Sequence, residues 1–215
     1  MKKAITIFLA FVMICSLTFS FAGCGKDKYT AVIKVKNYGK ITVELDAKAA
    51  PKTVENFVKL AKSGFYDGLT FHRIMEGFMM QGGDPKGTGM GGSDENVVGE
   101  FSANGHDNPI SHTRGTISMA RSGSGYEQYL SMGYKLSDLP AEAQDELEMA
   151  FNSGSSQFFI VHEDSKFLDG NYAAFGRVTS GIEVVDKVCE EAQPVDDNGT
   201  IPPAKQPVIE SITIE

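Results

Sequence analysis

Short apolar stretches separated by turn residues dominate the chain after residue 63, and they constrain its fold more than any other feature. Six stretches have the composition of strands, at 70–74, 78–81, 116–120, 158–161, 173–178 and 208–214. Glycine, which tolerates the backbone conformations of tight turns, supplies 23 of the 215 residues. Strands this short, with turns this frequent, are typical of a β-barrel or a β-sandwich.

A hairpin is predicted ahead of these strands. Apolar and polar residues alternate in 29–36 (YTAVIKVK) and in 40–46 (KITVELD), and Asn37-Tyr38-Gly39 lies between them. Alternation places the apolar side chains of each strand on one face, and the turn residues bring the two strands together.

Two helices are predicted around the strands, one early and one late. The first begins near Ala50-Pro51, since proline suits a first turn where its missing N–H would have no partner. Val54, Phe57 and Val58 recur at helical spacing and form its apolar face. The second covers 181–190. Residues and spacing therefore predict a mostly β domain with flanking helices.

A third helical segment interrupts the β region. Residues 136–151 (LSDLPAEAQDELEMAF) have a helical composition, with Asp138 as the expected cap and Pro140 in the first turn. Its apolar stripe is formed by Leu139, Ala143, Leu147 and Ala150. The stripe either packs over the edge of a neighbouring groove and shapes substrate choice, or belongs to a surface addition that has no effect on function.

The N-terminus has the pattern of an export signal. MKK precedes an apolar run at 4–21, which is near the lower limit of the roughly 17–25 residues that span a membrane, so a signal is favoured over a transmembrane anchor. Phe-Ala-Gly-Cys at 21–24 resembles the lipobox of bacterial lipoproteins. This resemblance implies cleavage before Cys24 and a lipid on its thiol, although Cys24 is incidental if the signal is an ordinary one.

The expected organisation is a lipoprotein signal peptide at 1–23, a tether at 24–28 and one domain at 29–215. The mature protein would be exported and lipid-anchored to the outer face of the cell membrane, or to the outer membrane or periplasm in a Gram-negative cell. We expect a monomer.

Charge and cysteine content exclude several classes of function. Removal of the signal takes away Lys2 and Lys3, so the net charge falls from −8 to −10, which disfavours nucleic acid as a partner. Cys15 lies in the signal and Cys24 would carry the lipid. Cys189 then has no partner for an intramolecular disulfide.

Motifs for metals, cofactors and nucleophiles are weak. The four histidines are not at metal-ligand spacing, so we expect no metal site, and His72 and His112 are expected to make structural hydrogen bonds. The glycines at 87–92 have the spacing of the nucleotide-binding motif G-x-G-x-x-G. The motif also requires a helix at its end, and no helix signal follows these glycines. No G-x-S-x-G motif is present. We therefore expect neither cofactor nor covalent catalysis.

Four stretches together resemble the cyclophilins, a family of peptidyl-prolyl cis–trans isomerases. They are FHRIMEGFMMQGGD (71–84), GTISMA (115–120), SSQFFI (155–160) and FLDGNYAAFGRV (167–178), preceded by the helix signal APKTVENFVKL (50–60). The resemblance implies a closed, eight-stranded antiparallel β-barrel capped by two α-helices. Relative to the family, this chain carries an extra helical insertion at about 124–152.

The resemblance also assigns the site residues, position by position. Arg73 matches the catalytic arginine, and Gln81 is expected to hold it or to contact the substrate's backbone. The residues expected to bind substrate are Phe78, Met79, Ala120, Arg121, Gln157, Phe159, Phe167, Leu168 and Tyr172. The implied partners are proline-containing segments of unfolded or folding exported proteins.

Site residues also differ from the family pattern. Phe167 replaces the tryptophan of drug-sensitive relatives, so the indole N–H is missing and we expect weak cyclosporin binding. Tyr172 stands where many relatives have histidine, and it keeps a ring with a polar tip. Arg121 stands where many relatives have asparagine.

The residues suit rotation about an X–Pro bond. Rotation breaks amide resonance and leaves a lone pair on the proline nitrogen, and a permanently charged donor aimed at that nitrogen lowers the barrier. The sequence leaves two alternatives open. Arg73 could belong to a buried ion pair with a purely structural role, or the domain could bind proline-containing segments without catalysing their isomerisation.

Overall fold

The computed structural model describes residues 26–215. The predicted signal peptide, Cys24 and the first two residues of the tether lie outside the described residues. No helix within the described part of the chain is long and apolar enough to cross a membrane.

Eight strands and four α-helices form the domain. The strands are β1 Lys28–Val35, β2 Gly39–Asp46, β3 Thr70–Met75, β4 Met79–Asp84, β5 Thr116–Met119, β6 Phe158–Val161, β7 Ala174–Ser180 and β8 Ile209–Ile214. The helices are α1 Pro51–Lys62, α2 Glu127–Ser131, α3 Ala141–Phe151 and α4 Ile182–Glu191. The prediction of a mostly β domain with an early helix, a late helix and a helical insertion is confirmed.

The strands form one curled antiparallel sheet in the order β3-β4-β6-β5-β7-β2-β1-β8. The two edge strands meet through an isolated bridge between Thr70 and Val208, and the Phe71 amide donates to the Pro207 carbonyl at 2.9 Å. Proline has no N–H with which to return a bond, so the ladder does not continue here. The expected closed barrel is therefore slightly overstated.

Helix α1 begins without a side-chain cap of its own, at Ala50. A distant carboxylate supplies the missing acceptor, because buried Glu100 accepts hydrogen bonds from the Lys52 and Thr53 amides at 3.0 and 2.9 Å. The positive end of the helix dipole favours an anion at this position. The apolar face of α1 then packs on β2 and β8, with Phe57 at 0% exposure.

The insertion is built into the main core rather than lying on it. Leu139, Ala143 and Leu147 of the predicted stripe are at most 9% exposed and belong to the same cluster as the sheet's inner face. The stripe therefore faces inward and is not open to a substrate.

The predicted start of the insertion's helix was wrong. Leu136–Asp138 form a separate 3-10 turn, and α3 begins after Pro140, which is its N-cap. Asp138 instead accepts a hydrogen bond from the Lys135 amide at 3.2 Å, and the extended backbone of Leu139 ends the turn. Helix α2 was not predicted.

Candidate active site

Strand alternation separates core residues from site residues along β3 and β4. Ile74 pairs with Met80, and both belong to the main core. Arg73 pairs with Gln81 in the adjacent register position, so these two side chains lie on the opposite face. Arg73 Nη1 donates to Gln81 Oε1 at 3.2 Å.

Arg73 is held by several groups. Its Nε donates to the Asn198 carbonyl at 2.7 Å, and its Nη2 contacts the Met75 sulfur at 3.3 Å. The guanidinium carbon lies 5.9 Å from the centre of the Phe78 ring. No carboxylate among residues 26–215 forms a salt bridge with Arg73, so the structural ion-pair interpretation has no support.

Burial lowers the pKa of the Arg73 guanidinium from its ordinary value of 12.5. That ordinary value is so far above neutrality that the group remains charged under physiological conditions. Arg73 is thus a fixed positive donor in a half-buried position.

A small cavity lies beside the guanidinium, with a volume of about 110 Å³. Its floor is a separate apolar cluster in which Met79, Phe159 and Leu168 are at most 7% exposed. All the residues that line the cavity belong to the predicted site: Arg73, Phe78, Met79, Gln81, Ala120, Arg121, Phe159, Leu168 and Tyr172. This proline-sized cavity, with an apolar floor and polar groups at its rim, is called the proline pocket below.

The two remaining predicted residues lie just outside this lining. Phe167 is 72% exposed and packs on the Phe78 ring with centroids 5.5 Å apart. Gln157 accepts from Gln81 Nε2 at 2.9 Å and donates to the carbonyls of Gly89 and Gly91 at 3.0 and 2.6 Å. Gln157 therefore joins the Arg73–Gln81 pair to the glycine-rich loop.

A larger, more polar cavity of about 490 Å³ adjoins the proline pocket, and sequence reasoning missed it. The two cavities share Gln81, Ala120 and Arg121. Its far wall is formed by the glycine-rich loop around 89–93. The run of glycines was visible in the sequence, but only the fold shows that it stands against Gln157.

Arg121 is more enclosed than a groove-edge residue is expected to be. Its side chain is 2% exposed, and Nη1 and Nη2 donate to the two carboxylate oxygens of Glu127 at 2.9 Å each. Its guanidinium carbon lies 4.6 Å from the Tyr172 ring centre. The side chain thus packs against the Tyr172 ring, which forms a wall of the pocket.

The predictions for the two histidines have different outcomes. His112 makes structural hydrogen bonds, to the Asp169 carboxylate at 2.8 Å and to Ser118 Oγ at 3.0 Å, and its ring stacks near Phe159. For His72 the prediction was wrong, because neither ring nitrogen has a partner among the described residues. Its ring faces Gly89, which has no side chain to offer one.

Comparisons with known proteins point to one family. The sequence profile described as cyclophilin type peptidyl-prolyl cis-trans isomerase/CLD matches residues 30–133 and 141–214. The chain belongs to the cyclophilin family. The gap in the profile match, between 133 and 141, falls inside the insertion.

Relatives of this cyclophilin occur in at least two bacteria. Peptidyl-prolyl cis-trans isomerase B of Bacillus subtilis is 41% identical over 154 residues, which cover 72% of this chain and 86% of that protein. A Helicobacter pylori peptidyl-prolyl cis-trans isomerase is 40% identical over 162 residues, covering 74% and 81%. The chain is accordingly a peptidyl-prolyl cis–trans isomerase.

Solved structures agree with the fold. A Cryptosporidium parvum cyclophilin type peptidyl-prolyl cis-trans isomerase aligns with a TM-score of 0.65 and 29% identity, over 87% of this chain and 98% of that one. A second crystal structure of that protein, in the presence of the dipeptide Ala-Pro, aligns with a TM-score of 0.64.

Proposed function

We propose that Arg73 accelerates isomerisation by donating a hydrogen bond to the proline nitrogen of the substrate when the prolyl amide is twisted. Amide resonance gives the rotation a barrier of about 18–20 kcal/mol. At the midpoint the nitrogen lone pair is localised, and it accepts a hydrogen bond that neither planar ground state can accept as well. Binding that is stronger at the midpoint than in the ground states lowers the barrier.

The observation that carries this proposal is the position of Arg73 at the rim of a proline-sized cavity with an apolar floor. Met79, Phe159 and Leu168 offer the ring a buried surface. The Asn198 carbonyl and Gln81 Oε1 hold the guanidinium from two directions. The ring would stay in the pocket while the preceding carbonyl swings round beside the polar cavity.

Replacement of Arg73 by alanine tests the mechanism. Loss of one charge-assisted donor of this kind costs about 2.7–4 kcal/mol of barrier lowering, or about 10²–10³ in rate. We expect a loss of that size in kcat/KM for a proline tetrapeptide. Arg177→Ala is the matched control, since Arg177 is exposed on β7 and donates to Thr113 Oγ1. A fully active Arg73→Ala variant refutes the mechanism, and peptide binding without acceleration in the wild type indicates a binding module.

We also propose that the protein works outside the cytoplasmic membrane, anchored as a monomer by a lipid on Cys24, and assists the folding of exported proteins. The support is the MKK start, the apolar run at 4–21 and the Phe-Ala-Gly-Cys stretch. Proline isomerisation takes tens to hundreds of seconds without catalysis, so a chain folding after export would gain from it.

Fractionation of cells that express the full chain tests this second proposal. We expect wild type in the membrane fraction, with a lipid mass on the mature N-terminus. Cys24→Ser should abolish both, whereas Cys189→Ser, at a buried position, should change neither. A soluble wild type that retains residues 1–23 would contradict the proposal. Faster refolding of a secreted protein limited by an X–Pro bond would test folding assistance directly.

A further inference from the structure

An ion pair joins the insertion to a residue of the proline pocket, with the Arg121 side chain 2% exposed and that of Glu127 28% exposed. Arg121 lies two residues after the end of β5 and lines the proline pocket. Glu127 is the first residue of helix α2 in the insertion. Two parallel hydrogen bonds of 2.9 Å connect them. This bidentate geometry fixes the plane of the guanidinium as well as its position.

The plane of the guanidinium matters because aromatic rings stack around it. Its carbon lies 4.6 Å from the centre of Tyr172, 5.1 Å from Phe151 and 5.3 Å from Phe101. Tyr172 in turn meets Phe159, on the pocket floor, edge to face at 5.8 Å. One face of the Tyr172 wall is therefore supported by the cation, and its edge borders the pocket.

Glu127 is itself fixed from within the insertion. Its Oε1 accepts from the Ser124 amide at 2.8 Å, and Ser124 Oγ donates to Glu146 of helix α3 at 2.7 Å. The hydrogen bond from Arg121 holds the pKa of the Glu127 carboxyl below its ordinary value. A continuous set of contacts thus runs from α3 through Glu127 and Arg121 to Tyr172.

We propose that Glu127 is a positioning residue of the isomerase: it holds Arg121 against Tyr172, and so fixes the wall of the pocket that receives the proline ring. The proposal rests on the proposed use of this pocket but not on the role of Arg73. It gives the insertion a function in substrate binding, carried by a polar contact rather than by the apolar stripe. Its effect should be on KM, because the wall contacts the ring equally in the planar and twisted states.

The first test compares Glu127→Gln with Glu127→Asp and with the matched control Glu148→Gln. Glu148 is an exposed acid on α3 of the same insertion. Steady-state kinetics on a proline tetrapeptide should show a KM about three- to tenfold higher for Glu127→Gln, the change expected when a cation–π contact is weakened but not abolished. We expect kcat within about twofold of wild type, a smaller change for Glu127→Asp, and none for Glu148→Gln.

A double-mutant cycle separates positioning from a general loss of structure. If Glu127 acts through Tyr172, Glu127→Gln should raise KM no further in a Tyr172→Ala background. Equal fold-changes in both backgrounds, an unchanged KM, or a fall in kcat alone each overturn the proposal. If Glu127→Gln does not fold by circular dichroism, the same cycle is run with Glu127→Asp. A fully active Arg73→Ala variant would refute the proposed role of Arg73. The KM results for the Glu127 variants would still test the positioning role of Glu127.

Discussion

The substitution Gly199→Ala should reduce activity from a position that touches no substrate. Gly199 has φ +81°, and a Cβ built there would lie 2.6 Å from the Ile74 carbonyl oxygen. The neighbouring residue, Asn198, supplies the carbonyl that accepts from Arg73 Nε at 2.7 Å. An alanine therefore pushes on the loop next to the group that holds the proposed catalytic donor.

The magnitude follows from two separate costs. A left-handed conformation costs a non-glycine residue roughly 1–2 kcal/mol. The contact with Ile74 must also lengthen from 2.6 Å to at least 3.0 Å, which moves the Asn198 carbonyl relative to Arg73. A displacement of about 1 Å in a positioned group can cost about 100-fold, so this smaller shift should lower kcat/KM by about five- to tenfold.

Gly105→Ala is the control that separates the two costs. Gly105 has a similar φ of +77°, and nothing lies within 4 Å of the position of its Cβ. Gly105→Ala should melt about 2–8 °C below wild type, from the conformational cost alone and the usual 2–4 °C per kcal/mol for a domain of this size, and Gly199→Ala should melt at least as far below. Tetrapeptide isomerisation should be impaired only in Gly199→Ala. Full activity of Gly199→Ala, or an equal loss in Gly105→Ala, would refute the reasoning.

Three further outcomes are expected. Phe167→Trp places an indole N–H at the rim of the pocket. One net hydrogen bond of about 0.5–1.5 kcal/mol should raise cyclosporin affinity about two- to tenfold relative to wild type in a calorimetric titration of both proteins. Glu100→Gln should weaken the acceptor at the start of α1 and lower stability by about 1.5–3 kcal/mol in a urea titration, whereas Glu55→Gln, exposed on the same helix, should have little effect. Since Arg121 lowers the folded-state pKa of Glu127, the stability from this pair is present above the ordinary value of 4.5 and is lost as pH falls through the folded value. The gap in melting temperature between wild type and Glu127→Gln should therefore be largest near neutral pH and shrink below pH 4.5, and a constant gap would contradict the assignment.

The strands were predictable because their signals are local. Alternation in 29–46 and the short apolar stretches after residue 63 placed the strands to within a few residues. The division of 71–83 into two faces also follows from alternation: Ile74 enters the core, while Arg73 and Gln81 share the other side. The polar residues in this apolar stretch are thus accounted for by strand geometry.

Helix α2 and the cap of α3 were not predictable by the same means. Helix α2 has five residues, fewer than two turns, so no apolar repeat can be read from it. Asp138 had the right chemistry for a cap, but its carboxylate accepts from the Lys135 amide within a 3-10 turn. Asp, Ser and Asn favour such local turns as strongly as helix caps, and the sequence does not say which one forms.

The supports of the site were hidden for a different reason. The Asn198 carbonyl reaches Arg73 across 125 positions of sequence, and a backbone carbonyl is the same group at every residue. Glu127 lies only six residues from Arg121, yet the sequence does not indicate that the two pair. The aromatic side chains that enclose the Arg121 guanidinium come together only in the folded chain. Residue identity could indicate the groups at the pocket, but the groups that hold them depend on tertiary contacts.

The contacts of Arg73 show how one side chain can be both fixed and available. A guanidinium has five N–H groups. Oxygen acceptors on Asn198 and Gln81 take two of them at 2.7 and 3.2 Å, while Nη1 and Nη2 also meet the sulfurs of Met79 and Met75 at 3.9 and 3.3 Å. Thioether sulfur is a weak acceptor, so a substrate nitrogen or carbonyl can displace it at little cost. The strong contacts therefore set the orientation of the group, and the weak ones keep N–H groups available to the substrate. A lysine ammonium has three donors at a single point and cannot divide them in this way.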